Sequence, residues 1–293
     1  VDVDEVLTTG FDRLAPLNRP IMVLALRGWF DVAGVATSAV EHLVRDRVAP
    51  VVASIDPDPF FDFTVERPTV AFDADDERVI EWPDNEIRVA RYPGAAHDLV
   101  LLAGVEPHLR YATFADALIR VARELGCEMV VTVGAAPEAI PHTRLPMVVG
   151  SSTNPRLARA LGLSRPKYQG VTGLVGVLQE RLDRVQMPAV SLRVGVPHYL
   201  GGAEHPTSSA ALLRHLEHVL GVPTHHAALA DEIAEWRHRH DEAVAGDHQA
   251  TLYVQMLEAE YDRSAEASLP SADDLAAELE RFLDDPTRDD DHP

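Results

Sequence analysis

Apolar residues in the first 223 positions follow two rhythms. One is a short continuous run: "PIMVLAL" (Pro20–Leu26), "APVVASID" (Ala49–Asp56), "DLVLLAGV" (Asp98–Val105), "EMVVTVGA" (Glu128–Ala135), "LPMVVGSS" (Leu145–Ser152) and "MPAVSLRVGVP" (Met187–Pro197). Runs of this length, rich in β-branched residues, predict buried strands. The other rhythm repeats every three or four residues. After "GWFD", Val32, Val35, Ala36, Ala39, Val40, Leu43 and Val44 share one helical face, and Asp31 is placed to cap that helix. "YATFADALIRVAREL" (Tyr111–Leu125) carries Phe114, Leu118, Val121 and Leu125 as a stripe and stops at Gly126, a residue suited to a left-handed cap. Further helices are predicted over Asn154–Leu161, Thr172–Val185 and Ser208–Leu220. "FFDFTVE" (Phe60–Glu66), "ERVIEW" (Glu77–Trp82) and "EIRVARY" (Glu86–Tyr92) alternate, which predicts a half-exposed antiparallel insertion. Strands alternating with helices predict an α/β fold: a mostly parallel twisted sheet with helices on both faces.

Beyond Pro223 the strands stop. His225–Ala245, Gln249–Arg263 and Ala272–Leu283 read as three polar helices. The charge changes at the same place. Residues 224–293 hold 19 acidic and 5 basic residues, a net of −14, whereas the first 223 hold 28 and 21, a net of −7. This asymmetry divides the chain into an α/β core domain (1–223), an acidic helical C-terminal region (224–285) and a disordered tail (286–293). The total of −21 repels nucleic acid and anionic membranes, so neither is expected as a partner. No apolar run reaches the roughly 18–20 residues of a membrane helix. The acidic start "VDVDEVLTTGFDRLAP" does not read as a secretory signal. Cys127 is the single cysteine, which excludes an internal disulfide and reads as a small buried hydrophobe. A reducing, cytoplasmic location is expected.

The recognisable motifs of chemistry are weak or missing. "GVTGLVG" places Gly170, Gly173 and Gly176 at G-x-x-G-x-x-G spacing, neither a dinucleotide fingerprint nor a P-loop. Thr172 could cap the following helix and offer its N-terminus to an anion, but close packing through glycine is the simpler reading. "HH" (His225, His226) and "HRH" (His238–His240) have no ligands at metal spacing and read as solvated helix faces. Ser151 and Ser152 follow "VVG" outside any nucleophile elbow and read as a turn. No catalytic residue, metal or cofactor is assigned. More informative are polar residues just past the apolar runs, because ligand crevices of open parallel sheets lie beyond the strands' carboxyl ends. Glu106, Arg110, His142, Arg144, His198 and Tyr199 stand there, with Tyr168, Thr172 and the turn Gly28–Asp31 as further candidates. They could bind a phosphate or ribose and move a proton, or they could form a buried network that ties loops together.

"RGWFDVAG", "EPHLRYATF", "PHTRLP", "YQGVTGLVGVL" and "VGVPHYL", in that order over roughly residues 10–262, resemble the proteasome assembly chaperone 2 family in its actinobacterial-type branch. The resemblance implies a three-layer α/β/α sandwich like that of purine nucleoside phosphorylases, with a C-terminal helical appendage. It implies a non-catalytic, self-associating chaperone-like protein, a trimer as the first expectation, with proteasome α-type subunits as partners. Trp29 and Phe30, and with them Phe60 and Phe61, then become interface candidates, since aromatics anchor interfaces. Family members that act on proteasomes often end in a hydrophobic–tyrosine–any tail, a pattern that "RDDDHP" does not match. The alternative is a small-ligand-binding protein or a nucleoside phosphorylase- or hydrolase-like enzyme using the polar cleft at the strand ends. A shared fold does not choose between these readings.

Overall fold

The structure, a computed structural model, describes residues 2–268 except Gly201 and Ala203. The chain opens with α1 (Val3–Val6) and β1 (Leu7–Thr9), continues through β2 (Ile21–Arg27), and enters α2 (Val35–His42) by a tight 3-10 turn at Val32–Gly34. β3 (Val51–Ile55), β4 (Thr69–Phe72), β5 (Arg78–Glu81), β6 (Glu86–Ala90) and β7 (Leu99–Val105) follow. Next come α3 (Tyr111–Glu124), β8 (Met129–Glu138), β9 (Val148–Ser151), α4 (Pro155–Ala160), α5 (Leu174–Arg184), β10 (Ala189–Pro197) and α6 (Pro206–Leu220). Two longer helices close the described chain, α7 (Ala230–Ala245) and α8 (His248–Ser268).

Eight strands form the main sheet in the order β1-β3-β6-β7-β2-β8-β10-β9. The four central strands β7, β2, β8 and β10 are mutually parallel. β6 and β9 flank them antiparallel, and β3 then β1 extend the β6 side in alternating directions. Register sets where loops emerge: Arg27 pairs with Val105, and Pro197 with Glu138. The residues that follow β2, β7, β8 and β10 therefore leave from the same edge of the sheet.

β2 shows how the three layers arise. Its side chains alternate between faces: Met22, Leu24 and Leu26 join a core under α3 and α5, while Ile21, Val23 and Ala25 join a core under α2 and α6. Both faces of the strand are buried, so it reads as an unbroken apolar run. α3 ends where its stripe does, and Gly126 turns the chain with φ of 69°. Cys127 is buried, and burial pushes its thiol up to about 12.

The antiparallel insertion differs from the expectation. Phe60–Glu66 is a pair of turns rather than a strand. Asp62 accepts hydrogen bonds from the backbone and hydroxyl of Thr64 (2.9 and 2.6 Å), a side-chain turn that competes with extended pairing. β4, unforeseen in the sequence, pairs with β5 as a separate two-stranded hairpin, while β6 joins the main sheet. The helix expected over Ala272–Leu283 and the tail at 286–293 lie outside the described residues.

Candidate functional site

The expected residues fall into two groups at the carboxyl edge of the sheet. The first stands over β2 and β7. The Glu106 carboxylate accepts hydrogen bonds from the Trp29 N–H (3.0 Å) and from the Leu174 N–H (2.8 Å), which opens α5. A carboxylate there satisfies an otherwise unpaired donor and complements the positive end of the helix. Two glycines make the approach possible: a Cβ on Gly28 would sit 2.7 Å from Glu106 Cβ, and one on Gly173 2.3 Å from its Oε1. The helix expected to begin at Thr172 thus begins two residues later, capped by a distant strand end instead of by Thr172, which is exposed.

The helix expected from Val32 begins at Val35, behind a left-handed turn at Ala33 and Gly34 (φ 59° and 64°), and Asp31 reaches across that turn to its first free N–H groups. Its oxygens accept from the N–H groups of Ala36 (2.6 Å) and Thr37 (3.2 Å) and from the Thr37 hydroxyl (2.6 Å). Burial raises the Asp31 pKa, against the opposing pull of these hydrogen bonds. Between these anchors the two aromatics of the turn separate. Phe30 covers Gly134 of β8 so closely that a Cβ there would meet its ring at 2.0 Å. Trp29 is 64% exposed. Phe60 and Phe61 are not surface anchors: they are 0% and 4% exposed and belong to the core. The turn after β3 directs them inward, where Phe60 meets Phe114 edge-on at 5.1 Å.

The second group stands over β8 and β10, and helices α7 and α8 cover it. The His142 N–H donates to the Tyr199 oxygen (2.8 Å), the Tyr199 hydroxyl lies 2.7 Å from His142 Nδ1, and Nε2 reaches Asp241 of α7 (3.1 Å). This chain is consistent with a neutral imidazole whose Nδ1 accepts and whose Nε2 donates. Burial lowers the His142 pKa, opposed by Asp241, and raises Tyr199 to about 12. Arg144 forks onto Asp262 of α8 (2.9 and 2.8 Å) and touches Glu258 (3.2 Å), which also accepts from the Thr143 hydroxyl (2.5 Å). His198 pairs with Tyr253 of α8 (2.9 Å).

Under α7 lies a ring cluster. Trp236 is 3% exposed, with His240 stacked on it at 3.9 Å and His205 edge-on at 4.5 Å. His205 also caps α6, its Nδ1 3.1 Å from the Ser208 N–H. Burial, with His240 and His142 nearby, lowers its pKa to about 4.

The remaining candidates stand apart. Arg110 is exposed and starts α3 in a left-handed conformation (φ 56°). Tyr168 is 72% exposed and donates to Val171 of its own loop (2.9 Å). Among the described residues no hydrogen bond joins the Glu106 group to the His142 group. A cavity of about 340 Å³ lies along α2, between it and the starts of α6 and α7, with Glu41, Arg45, His205 and Glu232 among its walls. No group of three His, Cys, Asp or Glu among the described residues could hold a metal ion. Sequence reading missed Gly134, His205, Trp236, Asp241, Glu258 and Asp262. Gly134 had a signal, a glycine inside a strand pattern, which marks close approach. The others sit in polar or loop sequence whose partner was the core itself.

A model of the PAC2 family matches residues 25–244. A PAC2 family protein from Streptomyces avermitilis is 39% identical, with 80% of this chain and 99% of that one covered at a TM-score of 0.75. A Mycobacterium tuberculosis proteasome-assembly chaperone homologue, Rv2125, is 36% identical, with 80% and 99% covered at 0.72. An archaeal proteasome activator from Pyrococcus furiosus, PbaB, shares the fold at 18% identity, with 81% and 98% covered at 0.65. None of the curated proteins matches the sequence.

Proposed function

The chain belongs to the PAC2 family, and from that premise we propose that it is a non-catalytic, chaperone-like protein that binds proteasome-related subunits. It acts in the cytoplasm as a homo-oligomer, and a trimer is the first assembly to test. The observation that carries this reading is the 36% identity to a proteasome-assembly chaperone homologue across 80% of the chain. The geometry supports it. The groups best suited to acid–base work are engaged in holding the fold: both Glu106 oxygens cap backbone donors, and His142, Arg144, His198 and Tyr199 fasten the C-terminal helices. The large aromatic left facing solvent beside them is Trp29, on a turn held by Glu106 and Asp31. A rigidly mounted, exposed tryptophan is the kind of side chain that anchors protein interfaces.

The test is Trp29→Ala in the full chain, read by native mass spectrometry for subunit number and by titration with purified proteasome α-type subunits. An anchoring tryptophan contributes about 2 kcal/mol or more, so affinity falls about 30-fold or assembly is lost, with the far-UV circular dichroism of the chain unchanged. Unaltered assembly together with unaltered capture would refute the interface role of Trp29.

A further inference from the structure

The hairpin β4–β5 stands outside the main sheet, and its outer face is exposed apart from an edge contact between Phe63 and Trp82 at its base. Val70 pairs with Ile80 and Phe72 with Arg78, so Val70, Phe72, Ile80 and, two residues on, Trp82 share one side, with the exposed Arg78 beside Phe72. They are 52%, 66%, 50% and 48% exposed. Ala71 and Val79, on the opposite side, are half-buried. A lone two-stranded hairpin is marginal in water, and here it is held at its base by the Phe63–Trp82 edge contact at 5.0 Å. Its tip is stiffened by Asp73, which accepts from the N–H groups of Asp75 (3.0 Å) and Glu77 (2.9 Å).

Charge says what fits this face. Residues 67–86 hold seven acidic residues and two basic ones. A second copy docked hairpin to hairpin would set acidic collar against acidic collar. Both strands also keep one unpaired edge, since the hairpin pairs only with itself. An open edge beside an apolar face accepts an added strand, with backbone hydrogen bonds for affinity and alternate side chains for selectivity. We propose that the β4–β5 hairpin docks an extended, cationic segment of a partner protein, with apolar residues alternating with Lys or Arg. The apolar side chains cover Val70, Phe72, Ile80 and Trp82, and the basic ones meet Asp73, Asp75, Asp76 and Glu77. This surface is separate from Trp29, so failure of the Trp29 test leaves it standing.

The experiment is fluorescence anisotropy of a labelled VKVKIKVK peptide with the full chain. Saturable binding is expected, weakened at least 10-fold by Phe72→Ser/Ile80→Ser and absent for the EVEVEIEV counterpart. Both substituted residues are half or more exposed, and circular dichroism checks the fold. Should that variant lose structure, Asp75→Lys/Asp76→Lys/Glu77→Lys must produce the same loss of peptide binding. No saturation, or equal binding by wild type and folded variants, overturns the proposal. So does a variant that alters self-association while peptide binding by the wild type is absent, which would assign the face to a second copy.

Discussion

Protonation of His205 should loosen the folded chain as the pH falls, through a mechanism visible in the packing. The imidazole is 2% exposed, its Nδ1 is engaged with Ser208, and its Nε2 is buried without a hydrogen-bond partner. His142 and His240 disfavour a charge there, and Glu41, Glu204 and Glu232, which line a cavity with His205, form no ion pair with it. A proton added there is a buried charge without compensation, which is why its folded pKa falls to about 4 from an unfolded 6.5. The sign follows: between these values the unfolded chain binds the extra proton. Stability is therefore intact above about pH 6.5 and is lost progressively toward pH 4. Linkage gives a loss of about 1–2 kcal/mol between pH 8 and pH 5.5, rising to about 3 kcal/mol below pH 4. His205→Asn keeps an acceptor for the helix cap and removes the titration. Between pH 8 and pH 5.5 the urea midpoint should fall further for the wild type than for the variant, which keeps the drop due to other buried histidines such as His142. The extra wild-type drop is about half a molar if the urea dependence is near 2–3 kcal/mol per molar. Parallel wild-type and variant curves between pH 8 and 5.5 would refute the reasoning.

Two further outcomes test the turn at the head of α2. Glu106→Ala removes acceptors from Trp29 and Leu174 at once; it should cost about 2–3 kcal/mol by urea denaturation and speed hydrogen exchange at the start of α5. Gly134→Ala drives a methyl into the Phe30 ring; it should cost about 1–3 kcal/mol alone and much less in a Phe30→Ala background, so strictly additive losses would contradict the contact.

The central strands and their flanking helices were legible because each carries its own periodicity. β2 and β7 are almost wholly apolar and β8 and β10 largely so, since both faces are mostly buried, and α3 carries a stripe with a glycine stop. Asp31 was readable as a cap because capping is local. Phe60–Glu66 misled for the same reason: alternation over seven residues looks like a strand, while the Asp62–Thr64 turn that breaks it depends on side-chain bonds the pattern does not weigh. Glu106 looked like a ligand-cleft residue because nothing nearby in the chain uses it; the partner it caps, Leu174, is 68 residues away. His142 and Arg144 looked like cleft residues because the polar helices that neutralise them come about 100 residues later.

The amino-acid sequence by itself determined the central strands and their flanking helices, where helices stop, that the described residues beyond Pro223 form helices, and that this part of the chain is acidic. Local sterics, capping and hydrophobic period act over a few residues, and they are written in consecutive letters. Only the tertiary structure decided which polar groups remain free. Asp241, Glu258 and Asp262 turn a candidate cleft into a seam, the turn after β3 sends two phenylalanines inward, and Trp29 is left in solvent. Whether a charged or aromatic side chain acts or merely holds depends on what is brought against it, and that is set by contacts between residues distant in the chain.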